Sequence, residues 1–186
     1  MNSFIKLICL ATFLIMGING LSFAAEETVY QFRSFDDPDV PANPEVCINA
    51  PFYDENFPSY VVLGASLWSL QSNAAEGKVV NEAIHQVGTG DVCAKVTDLS
   101  VGTSAPIYLE FELNDMLIKG DGSCLVTSNN IPVNGLILTG CSYTIYDDLD
   151  NNLLGGIATS NSIFNPFNLP GFQTGSFWTV HLYSDL

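Results

Sequence analysis

Apolar and polar residues alternate along most of this chain with a period of two, the spacing of a strand that buries one face. Ile107, Leu109, Phe111 and Leu113 fall on one face of such a segment, and Tyr108, Glu110 and Glu112 on the other. Near the end of the chain Trp178, Val180 and Leu182 oppose Phe177, Thr179, His181 and Tyr183. Val92, Ala94 and Val96 alternate with Cys93, Lys95 and Thr97. β-Branched and aromatic content marks further strands at 29–35, 59–70, 78–87, 116–119, 123–127, 136–146 and 153–159. A helix over 72–84 is opposed by Gly77 and by the Val79-Val80 pair.

The punctuation between these segments reads as turns. Gly120-Asp121-Gly122 is a hairpin signal, Gly88-Thr89-Gly90-Asp91 and Glu76-Gly77 separate two more strand pairs, and 147–152 is a polar turn. About ten short strands at this spacing predict an all-β, single-domain antiparallel β-barrel, with a β-sandwich as the alternative. Two connections are longer than connectivity requires. One, 36–58, is rich in Pro, Asp and Asn; the other, 161–172, carries Phe164, Phe167 and Phe172. Long loops on a rigid β scaffold are common sites of recognition. The same rings would serve equally to plug one end of a barrel, and plugging is the favoured use.

The N-terminus changes the address of the chain. Lys6 precedes a nearly unbroken apolar stretch from Leu7 to Ile18, and Ser22-Phe23-Ala24 forms a small-x-small cleavage site. That stretch is shorter than the roughly 18 to 20 residues that span a bilayer, so 1–24 reads as a signal peptide and 25–186 as the mature domain. The expected location is secreted or periplasmic, without membrane insertion of the mature chain. A membrane barrel of eight strands also fits the length, but its strands would need a continuous apolar outer band.

Charge removes one class of partner. Cleavage after Ala24 would leave Arg33, Lys78, Lys95 and Lys119 against all 20 acidic residues, a net charge of −16. Nucleic-acid binding needs a basic stripe, and there is none. An apolar small molecule or another secreted protein remains open as partner. Cys47, Cys93, Cys124 and Cys141 make an even set for an exported chain and imply two disulfides. Cys124 and Cys141 flank the turn-like stretch 129–135 symmetrically, so a hairpin there would set them opposite each other and leave Cys47 to pair with Cys93.

Candidate chemistry is sparse. There is no Gly-x-Ser-x-Gly elbow, and paired cysteines are not nucleophiles. His85 and His181 both fall inside strands, where a hydrogen-bonded structural role outweighs that of a base. No His/Cys spacing suits zinc. Asp148, Asp150 and Asn152 begin like a calcium loop, but Leu153 and Thr159 stand where its glycine and glutamate belong. Glu110 and Glu112 share one strand face at about 7 Å, a spacing usable for acid–base work if they line a pocket with Tyr108. Because the opposite face is the apolar one, they are expected to face water. No cofactor or metal is implied, and the balance leans away from an enzyme.

Three segments, Leu138-Thr139-Gly140-Cys141-Ser142-Tyr143, Leu154-Gly155-Gly156-Ile157-Ala158 and the aromatic strand that begins at Gly175, resemble the C-terminal half of the allene oxide cyclase and dirigent group of eight-stranded barrels. Cys141 stands where that group has a second glycine, and no functional residue is carried across. The resemblance implies a barrel that holds an apolar molecule and steers its cyclisation or coupling by shape. The leading expectation is a secreted binding or interaction module without a catalytic set. The alternatives are that ligand-steering barrel, favoured by a lined apolar cavity, and an inhibitor of a secreted enzyme.

Overall fold

The computed structural model describes residues 25–75, 78–148 and 152–185. The expected signal peptide and the turn at 76–77 lie outside them. Eight antiparallel strands form one sheet: β1 (Glu26–Asp36), β2 (Val61–Ala75), β3 (Lys78–Ala94), β4 (Ser104–Leu113), β5 (Met116–Ser128), β6 (Ile137–Ile145), β7 (Leu153–Phe164) and β8 (Gly175–Ser184). Each strand pairs with its neighbours in sequence, and β1 also pairs with β8, from Glu26 opposite Ser184 to Phe35 opposite Gly175. The ladder therefore returns to its start, which leaves no edge strand to be protected. Among the described residues there is no α-helix, only a 3₁₀ turn at Pro44–Cys47.

Eight strands replace the ten expected because two predicted turns are strand interior. Gly88 to Asp91 lie within β3, and Gly120 to Gly122 within β5. Both stretches owe their glycines to close approach rather than to chain reversal. A Cβ on Gly90 would collide with the Phe111 ring, and one on Gly122 with the Ser142 carbonyl oxygen. Glycine at such points lets a sheet coil tightly enough to close. The β4–β5 reversal falls instead at Asn114-Asp115, both at positive φ (50° and 66°), which Asn and Asp tolerate.

The connections are unequal. Those at 37–60, 95–103, 129–136 and 165–174 all emerge at one end of the ring, while the 114–115 reversal and the β6–β7 ends at Ile145 and Leu153 lie at the other. Inside, the end with the short turns is packed solid. Leu113, Ile118, Ile145 and Leu153 fill it, and above them, midway along the ring, Phe32, Phe111 and Trp178 meet at ring-centroid distances of 4.9 to 6.1 Å.

A second, smaller core lies outside the ring. The 37–60 connection folds back as a strap over the outer face of β2, β3 and β4. It is anchored by Cys47–Cys93, by the Asn43 N–H donating to Asp91 Oδ1 (2.9 Å) and by Val46, which is fully buried. Tyr108, on the same outward face as Glu110 and Glu112, is only 2% exposed, because the strap covers it and packs Ala50 beside it and Cys93. Cys124 and Cys141 are register partners and are bonded to each other.

Candidate binding cavity

On β1, β4 and β8 the inward side chains shrink toward the long-loop end. On β4 they run Leu113, Phe111, Leu109, Ile107, Ala105; on β1, Phe32 is followed by Ser34; on β8, Trp178 is preceded by Ser176. Small residues cannot fill the width that Phe and Leu fill below, so the interior opens into a cavity of about 120 Å³. Trp178 and Tyr143 form its floor, with ring centroids 5.1 Å apart. Val61, Leu63, Val92, Ala94, Ile107 and Val126 supply an apolar wall.

One strip of the interior is polar and internally paired. Tyr143 Oη lies 3.5 Å from Ser160 Oγ, Ser160 Oγ 3.3 Å from Ser162 Oγ, and Ser176 donates to Ser162 at 2.6 Å. Trp178 Nε1 donates to Ser34 Oγ at 2.9 Å. Burial pushes the Tyr143 phenol above its ordinary range, so it is a neutral hydroxyl beside the cavity. The Cys124–Cys141 bond faces inward; Cys124 lines the cavity, and its sulfur lies 3.7 Å from Tyr143 Oη. Asp36 and Asp98 stand at the mouth as its only charged lining residues.

Comparison with protein-family models, with curated proteins and with solved structures finds no match. The site is therefore described by its own geometry. A compact apolar cavity with a few convergent polar groups is the usual form of a small-molecule site. The nearest physical reference is a dry protein cavity of about 150 Å³, which admits benzene.

The residues singled out in the sequence scatter. Of the three loop phenylalanines, only Phe164 lines the cavity. Phe167 is 67% exposed beyond the mouth, and Phe172 is half-buried in the same loop. Asn165, itself buried, ties this loop together through hydrogen bonds to the Leu169 and Phe172 carbonyls (3.0 and 2.9 Å).

Glu110 and Glu112 face outward. Glu112 is exposed, whereas Glu110 accepts from Tyr108 Oη (2.8 Å) and Asn49 Nδ2 (2.9 Å) under the strap, with Lys119 at 3.6 Å. Neither lines the cavity. His85 and His181 lie on β3 and β8, which β1 and β2 separate in the ring. The His85 backbone N–H donates to Ser69 Oγ, while the His181 ring lies against Glu27 at 2.7 Å. Neither histidine lines the cavity. The 147–152 turn is closed by two backbone hydrogen bonds between Asp148 and Leu153, each 2.8 Å; Asp150 lies outside the described residues.

Nothing in the sequence alone marks Trp178, Tyr143, Asp36 or Asp98 as a site residue. The detectable signal was the run of small inward residues near the strand ends, Ala94, Ala105, Ser34, Ser162 and Ser176. It becomes visible only once the register is known.

Proposed function

We propose that this chain is an exported eight-stranded β-barrel that holds a small, mainly apolar molecule in its long-loop end. The observation that carries this reading is the aromatic-floored cavity at one end of a closed sheet whose other end is packed solid. Export has in its favour the signal-like pattern of 1–24 and two disulfides, which suit an oxidising compartment. Among the described residues no helix is long and apolar enough to cross a membrane.

The apolar wall and the Trp178–Tyr143 floor would take the body of the ligand. The serine wall would orient any polar group it carries. A body of about nine heavy atoms at about 0.5 kcal/mol each corresponds to a Kd on the order of 1 mM. Tighter binding requires additional contacts from the mouth loops. A second reading, steering of the ligand's cyclisation or coupling, draws on the resemblance to the allene oxide cyclase and dirigent group and on the same eight-stranded closure. It would be separated from simple binding by analysis of the products.

The test is the mass of the mature protein, purified from its native compartment, under native and then denaturing non-reducing conditions. An excess mass lost on denaturation, and absent from Ala105→Phe, supports a ligand in this cavity. Identical masses, together with unchanged Trp178 emission on adding small aryl alcohols, would overturn it.

A further inference from the structure

We infer that the ligand carries a cationic head, a protonated amine on a short aryl or alkyl body, held at the mouth between Asp36 and Asp98. This rests on the cavity reading above and adds the chemical class of the ligand.

The lining contains two carboxylates and no Lys, Arg or His. Among the described residues, Arg33, Lys95 and Lys119 have partners elsewhere. The Arg33 guanidinium lies over Phe35 and Phe177, at 4.2 and 5.0 Å from their ring centroids, on the outer face. Lys95 sits over Phe57 and 3.8 Å from Asp54. Lys119 is directed at Glu110, and Lys78 begins β3 at the end remote from the mouth. An anionic ligand such as a fatty acid would therefore meet two like charges at the entrance and no compensating cation.

Asp36 is fixed through its backbone and Asp98 through its carboxylate. The Asp36 N–H donates to the Thr174 carbonyl at 3.0 Å, which fixes the end of β1 against the β7–β8 loop. Asp98 Oδ1 accepts from the Ser100 N–H (2.9 Å) and Oγ (2.8 Å). These bonds hold the Asp98 carboxyl below the usual carboxylate range, so it stays charged at neutral pH. An apolar body on the Trp178–Tyr143 floor leaves its polar end at the rim, where both acids are. The size of the cavity limits that body to about the size of a benzene ring with a short tail. A larger amphiphile would leave most of its chain in water.

The test uses three probes of one skeleton: 2-phenylethylamine, 2-phenylethanol and phenylacetate. They are titrated into the mature protein bearing Trp68→Phe, so that Trp178 is the sole indole reporter. At low salt the amine is expected to bind about tenfold tighter than the alcohol, and the carboxylate weakest. The amine-to-alcohol ratio should fall to about one in Asp36→Asn/Asp98→Asn and part of the way in each single variant. The Asp98→Asn side chain retains an oxygen to accept from Ser100, and circular dichroism checks that each variant is folded.

If the alcohol binds but the amine binds no tighter, or if the ratio survives in the double variant, the amine assignment falls and the cavity reading stands. If none of the three moves Trp178 emission, the cavity reading falls and takes this inference with it.

Discussion

Cys47 is bonded to Cys93, and the outward side chain of Cys93 stands beside its register partner Tyr108. One covalent bond thus seats the strap on the sheet and seals a phenol beneath it. Tyr108 donates to Glu110, which also accepts from Asn49 of the strap, so the covered face is closed by polar bonds as well as by Val46.

Replacing both Cys47 and Cys93 by Ala should therefore release the strap without opening the ring. The expected loss is about 2–4 kcal/mol, read as a lower midpoint in denaturant. The far-ultraviolet β signal should persist, and a protease should cut first within 37–60. Unchanged stability with an uncut strap would mean that Val46, Ala50 and the Asn43–Asp91 bond suffice to hold it.

The glycines within β5 and β6 make a sharper test of closure. Gly122→Ala places a methyl group against the Ser142 carbonyl, whereas Gly140→Ala meets nothing within 4 Å. Thermal melts should show Gly122→Ala destabilised by about 2 kcal/mol or more, and Gly140→Ala within about 0.5 kcal/mol of the parent. Equal melting temperatures would refute the close β5–β6 approach.

Those glycines also mark where the fold stopped being legible from sequence. The alternation at 107–113 identified the inward face of β4 correctly, and the symmetry of Cys124 and Cys141 about the 129–135 stretch identified a cross-strand pair. Both are local patterns. Gly120-Asp121-Gly122 looks identical whether the chain reverses there or a neighbouring backbone leans in, and only the neighbour decides. Tyr108 illustrates the same limit. Period two says which face of a strand is apolar but not whether a distant segment will cover the polar one. The cavity was hidden for a related reason, since Ala105, Ser34 and Ser176 become one opening only after the ring brings them level.

The loop at 165–174 separates binding from packing. Phe167→Ala, at a position 67% exposed, should change stability by less than about 0.5 kcal/mol. Phe111→Ala, at 1% exposed within the aromatic cluster, should cost about 3–5 kcal/mol. Urea titrations compare the two directly. A loss above about 1 kcal/mol for Phe167→Ala would show that its ring packs against Gly135 as a plug at the loop end.

Alkaline pH should unfold this protein through its buried phenols. Tyr108, Tyr143 and Tyr146 all have their ionisation pushed above the ordinary value of 10.0, first by burial. Tyr108 and Tyr146 also donate to the Glu110 and Asp121 carboxylates, at 2.8 and 2.6 Å, and ionising either phenol would set two negative charges together. In the unfolded chain the same phenols lose their protons near 10. Above that pH the folded state binds more protons than the unfolded one, so stability must fall as pH rises. Below it these groups contribute their full stabilisation.

The expected record is a denaturation midpoint insensitive to these groups up to about pH 10 and falling beyond it. Part of the phenolate absorbance should then appear in one cooperative step, coincident with loss of near-ultraviolet circular dichroism. If all seven tyrosines of the chain titrated smoothly near 10 with the fold intact, the buried placement of Tyr108 and Tyr143 would be wrong. The strap over β4 and the floor of the cavity would then have to be redrawn together.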